Sequence, residues 1–129
     1  MNFENEGVIE TSLAVDPLVA TTVYASDSGY IYRSTDGGNT WSELDLVSSN
    51  TAYPLAISDT GRLYAAAWDF GVVSYAEGNP AWKVVGRFLP WQFNSLTPDP
   101  HDPCRIFAGP QYRGLFVFRH TGSPGCPAP

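Results

Sequence analysis

Basic side chains are scarce in this chain. Lys and Arg number 7 against 13 Asp and Glu, a net charge of −6, and Lys83 is the only lysine. Such a surface repels polyanions, which argues against DNA, RNA and anionic membranes as partners. Long apolar runs are missing as well: none approaches the roughly 18 residues of a membrane-spanning helix. The opening MNFENEGVIET is acidic and lacks the basic and apolar regions of a signal peptide. The expectation is therefore a cytosolic chain or one whose upstream part is missing. Cysteine is confined to Cys104 and Cys126, with no CxxC spacing and no clustered histidine. Zinc needs several close ligands and is not expected. The two cysteines read either as separate thiols, the plainer account, or as a disulfide pinning the C-terminal tail. Their distance in the fold decides between these.

Turn residues and aromatics are abundant. Gly 12 and Pro 11 in 129 residues leave no room for long helices, so many short elements are expected. A hydrophobic content of 43% is enough for a packed core, and the 14% of aromatic residues suits half-buried strands.

Three segments repeat. Ser12-Leu-Ala-Val-Asp-Pro, Pro54-Leu-Ala-Ile-Ser-Asp and Ser95-Leu-Thr-Pro-Asp-Pro each open a unit. Thr22-Val-Tyr-Ala-Ser, Arg62-Leu-Tyr-Ala-Ala and Arg105-Ile-Phe-Ala-Gly follow, and then runs beginning at Gly29, Gly71 and Gly114. Leu13 to Leu55 is 42 residues, and Leu55 to Leu96 and Trp41 to Trp82 are each 41. Four short apolar runs per unit, with no helix-length segment between them, predict antiparallel strands. A period of about 40 residues with four strands is the signature of a propeller blade. The expected fold is all-β, with about three four-stranded antiparallel blades of a β-propeller, the last incomplete. The blades are placed at about 12–53, 54–94 and 95–122, and residues 123–129 form a tail. Residues 1–11 supply a spare strand, which either closes a ring by strand exchange or ended a preceding blade. The strands Leu13–Val15, Leu55–Ile57 and Leu96–Pro98 would be innermost, with Asp16-Pro17 and Asp99-Pro100 ending the first and third.

Ser34-Thr-Asp36-Gly-Gly38-Asn-Thr40-Trp41 matches the Asp-box, S-x-D-x-G-x-T-W, at every defined position. Its logic is that of a hairpin turn. Asp36 can accept hydrogen bonds from turn amides, Gly37 and Gly38 permit positive φ, Ser34 can bond across the turn and Trp41 can fold back. The stretch Ser74 to Trp82 is a degenerate copy, and the third repeat has lost the motif. Asp36 lacks the further carboxylates of a calcium loop, so neither a metal nor a cofactor is expected.

On these residues the chain resembles the BNR/Asp-box repeat propellers. Those include xyloglucanase-type glycoside hydrolases, sortilin-type receptors, photosystem II assembly factors and sialidases. The string SLAVDPLVATTVYASDSGYIYRSTDGGNTWSEL carries the likeness most strongly. The resemblance implies the fold, a structural rather than catalytic Asp-box, and an exported protein. It does not single out an activity, because the fold hosts hydrolases, receptors and assembly factors alike.

A hydrolase would need two carboxyl groups facing each other roughly 5–9.5 Å apart. Asp27 and Asp69, after the second strands of blades one and two, are the pair nearest a channel rim, and both also read as solvated loop acids. Arg87-Phe-Leu-Pro90 departs in order from the sialidase arginine motif and lies after the Asp-box, so it reads as coincidence. His101 and His120 have no nucleophile pattern around them. For binding, the candidates are Trp68, Asp69 and Phe70, Trp91 between blades, and Tyr112 with Arg113. Rings beside polar groups suit a sugar or peptide, although the same rings could simply pack between blades. Trp41 and Trp82, recurring at one position, read as core. The expected function is a non-catalytic interaction module for protein or carbohydrate. The alternative is part of an Asp-box glycoside hydrolase whose catalytic residues lie in other blades. Three blades cannot close a ring, so the chain is expected to pair into six blades or to belong to a longer propeller.

Overall fold

The computed structural model describes residues 12–27, 30–44, 54–67, 71–75, 82–86, 93–110, 114–119 and 126. They form eleven strands: β1 Ser12–Val15, β2 Val23–Asp27, β3 Tyr30–Ser34, β4 Ser42–Glu43, β5 Leu55–Ile57, β6 Leu63–Ala67, β7 Gly71–Tyr75, β8 Trp82–Gly86, β9 Phe93–Pro98, β10 Arg105–Pro110 and β11 Phe116–Arg119. They build three antiparallel meanders in chain order, β1-β2-β3-β4, β5-β6-β7-β8 and β9-β10-β11, so the third sheet has three strands among the described residues.

The sheets stack face to face, and the pleat decides which residue serves which neighbour. In β6, Leu63 and Ala65 join Ala14, Tyr24, Ile31 and Leu44 of the first sheet in one core, completed by Leu55 and Val73. The alternate residues Tyr64 and Ala66 join Leu96, Ile106 and Ala108 of the third sheet in a second core, with Val72. The middle sheet is thus apolar on both faces, and each outer sheet contributes one face to these two cores. The first strands β1, β5 and β9 run beside one another, and the Leu55 N–H donates to Ser12 Oγ across the first junction at 3.0 Å. At the second junction, a Cβ on Gly86 would fall 1.9 Å from the Phe118 ring, so glycine is what lets β8 approach β11.

Strand pairing refines the repeat. Ala25, Ala65 and Ala108 stand opposite Tyr32, Val73 and Phe116. Ile31, Val72 and Leu115 are therefore equivalent, each one residue earlier. Aligning Gly29 with Gly71 would shift this strand by one, because Tyr30, not Gly29, occupies the place of Gly71.

Cys104 and Cys126 are not separate thiols. They are bridged, with Cα atoms 5.3 Å apart, and both are buried. The bridge ties residue 126 to the turn between β9 and β10. Residues 1–11 and the remainder of 120–129 lie outside the described residues.

Candidate functional site

The Ser34–Trp41 segment forms a closed turn between β3 and β4. Asp36 Oδ1 accepts the Thr40 N–H at 2.8 Å and the Ser34 hydroxyl at 2.8 Å, while Oδ2 accepts the Thr40 hydroxyl at 2.5 Å. Ser34 Oγ in turn accepts the Gly38 N–H at 2.9 Å. Gly37 and Gly38 hold φ of 73° and 99°, a region costly for any residue with a Cβ. Trp41 folds back so that its indole N–H donates to the Gly38 carbonyl at 3.0 Å. The Gly37 N–H reaches the Thr21 carbonyl at 2.9 Å, which fastens this turn to the one between β1 and β2. Both oxygens of the carboxylate are engaged within the turn. In the degenerate copy, Ser74 is buried and Trp82 packs on the first core, its ring 5.0 Å from that of Tyr75.

A second kind of polar turn follows the first strand of each sheet. The Leu18 N–H donates to Asp16 Oδ1 at 2.8 Å, and the His101 N–H donates to Asp99 Oδ1 at 2.8 Å. Each Asp-Pro thus ends its strand with an Asx-turn as well as a missing donor. Ser58 takes the role in the middle sheet, where its hydroxyl accepts the Arg62 N–H at 3.1 Å. The third turn adds ion pairs. Arg105 meets Asp99 through Nε at 2.9 Å and Nη2 at 2.5 Å, and Arg119 meets Asp102 at 2.7 Å. Sequence reasoning missed both pairs. Its available signal was Asp-Pro-His-Asp-Pro followed by arginines six and seventeen residues on from the partner acids, spacings too long to read without the strand register.

These contacts fix how the acids titrate. The Thr40 hydroxyl and N–H, with Ser34, hold Asp36 down at about 2. The His101 N–H and Arg105 lower Asp99, and Arg119 with the Cys104 N–H lowers Asp102. A carboxylate whose folded pKa is depressed stabilises the fold above its unfolded value near 4 and loses that contribution as pH falls through the folded value. All three acids act in the same direction. Thermal melts are therefore expected to fall as pH drops from about 4 to about 2. Asp36→Asn should melt lower at neutral pH and show a shallower acid limb; an unchanged limb would contradict this assignment.

Trp68, Asp69, Phe70, Trp91, Tyr112, Arg113 and His120, and the side chain of Asp27, lie outside the described residues. The strands that bracket them are described. The ends of β2, β6 and β10 and the starts of β5 and β9 share one edge of the stack, because Asp27 pairs with Tyr30, Ala67 with Gly71, Leu55 with Ala65 and Phe93 with Pro110. The turns built on Asp16, Ser58 and Asp99 and the Ser34–Trp41 turn occupy the opposite edge. His101 is an exposed member of the Asp99 turn. Among the described residues, no three His, Cys, Asp or Glu side chains gather as metal ligands.

No family model matches the chain, and no curated protein matches it. Among solved structures, the GH74 enzyme of Niastella koreensis is similar, with a TM-score of 0.68 and 19% sequence identity over 87% of this chain and 21% of that chain. At that identity the likeness establishes the fold, and the chain spans about a fifth of that enzyme's length. The three sheets are blades of a partial β-propeller.

Proposed function

We propose that the chain is a non-catalytic Asp-box repeat module of the BNR type that binds protein or carbohydrate. The observation carrying this reading is the division of labour between the two edges. At one edge, Asp36, Asp99 and Asp102 are each committed to a turn or an ion pair and stay charged at neutral pH. A general acid for glycoside hydrolysis needs the opposite, a raised pKa. At the other edge lie the ends of β6, β8 and β10 and the start of β9, the strand ends that border segments 68–70, 87–92 and 111–113 in the sequence. Their sequences combine Trp68, Phe70, Trp91 and Tyr112 with Asp69 and Arg113, rings for apolar sugar or peptide faces and polar groups for hydroxyls.

The second reading is that the chain is part of an Asp-box glycoside hydrolase whose catalytic residues lie in other blades. Its support is that a solved chain sharing this fold is an enzyme of which this chain matches about a fifth. The test uses xyloglucan and sialylated oligosaccharides as probes, assayed by calorimetric titration and for released sugar. Saturable binding without turnover, lost in Trp68→Ala, is the expected result. Turnover abolished by Asp69→Asn or Asp27→Asn would overturn the non-catalytic reading.

A further inference from the structure

The two outermost faces of the stack repeat the pattern of the two faces already buried within it. On the face that each blade turns toward the preceding one, Leu13, Leu55 and Leu96 are equivalent. Leu55 and Leu96 are 8% and 9% exposed under a neighbouring blade, whereas Leu13 is 64% exposed. Val15, equivalent to the core-packed Ile57, is exposed in the same way. On the face that each blade turns toward the following one, Ile31 and Val72 are 1% and 0% exposed, and their equivalent Leu115 is 66% exposed. Tyr24 and Tyr64 are buried at a position that Phe107 fills in the third blade. Phe107 itself is half-buried, with the Arg105 guanidinium 5.4 Å from its ring centroid. Val117, beside Phe107 in the register, is also exposed.

We propose that Phe107, Leu115 and Val117 of one copy pack on Leu13, Val15 and Tyr32 of a second copy, and reciprocally, so that two chains close a six-bladed ring. The junction would follow the rule that already joins blades one to two and two to three: the aromatic and branched residues of one face seat on the leucine, alanine and third-strand residues of the next. A second copy is the occupant because both complementary faces belong to the same chain. A head-to-tail contact that closes after two copies leaves neither face in water, whereas one that fails to close grows into a fibre. Six blades lie within the roughly 4–8 at which propellers close.

Light scattering behind a sizing column, on the full chain with its disulfide intact, should give twice the chain mass of 14.1 kDa. Leu13→Asp and Leu115→Asp each alter a side chain that is exposed in the single chain, so folding should survive by circular dichroism while the mass halves. An equimolar mixture of the two variants should recover the doubled mass, since one intact junction can form between them. A single-chain mass for the unmodified protein overturns the proposal. Retention of the doubled mass by Leu115→Asp overturns it too, because the pair would then be head-to-head. A concentration-dependent polymer overturns closure.

Discussion

Replacing Tyr64 with alanine is expected to destabilise the fold by about 3–5 kcal/mol, the range for removing a large buried ring. Tyr64 is 1% exposed and is the largest fully buried side chain among the described residues. Its ring fills the junction between the second and third blades with Leu96, Ile106 and Ala108. Burial raises its hydroxyl pKa, and the hydroxyl is hydrogen-bonded to Arg62. The substitution therefore leaves a cavity and strips Arg62 of a partner together. Domains of this size have only about 5–15 kcal/mol of stability, so the urea midpoint should fall by a large fraction. The slope should be unchanged if the blades still unfold together. A loss below about 1 kcal/mol would mean that the junction collapses around the gap or is not formed.

Opening the Cys104–Cys126 bridge should have the next largest effect. The link spans 22 residues and encloses β10 and β11, two of the three strands in the last blade. Closing a loop of that length in the unfolded chain removes entropy worth about 3 kcal/mol. Denaturation with and without a phosphine reductant, and of Cys104→Ser, reads this directly. Equal midpoints would show that the bridge adds nothing to the native balance.

How much of this was legible depended on range along the chain. The strands could be read because Leu13-Ala-Val, Leu55-Ala-Ile and their partners are short apolar runs bounded by turn residues. The Ser34–Trp41 turn could be read because its hydrogen bonds link residues no more than four apart. The Cys104–Cys126 bridge, the Arg119–Asp102 pair and the Gly86–Phe118 approach join residues far apart in sequence. The bridge was one of two readings of the cysteines until their distance in the fold decided it, and the other two became visible only when the sheets were stacked. The one-residue shift at Tyr30 has the same origin, because pairing with β2 rather than the glycine sets the phase of the third strand. The binding candidates were chosen for composition, and the described residues fix the strand ends beside them.

The alternation in β6 has a consequence for how such a chain can change over generations. Neighbouring residues serve opposite junctions, so inserting or deleting one residue within the strand would exchange Leu63 and Tyr64 between cores of different shape. Length can drift only where no side chain has a phase to keep. The first hairpin turns show this tolerance. They occupy residues 16–22, 58–62 and 99–105, seven, five and seven residues, between pairs that hold the same register, Val15 with Val23, Ile57 with Leu63 and Pro98 with Ile106. Insertions and deletions among relatives should therefore fall in these turns, while the strands between them accept substitution alone.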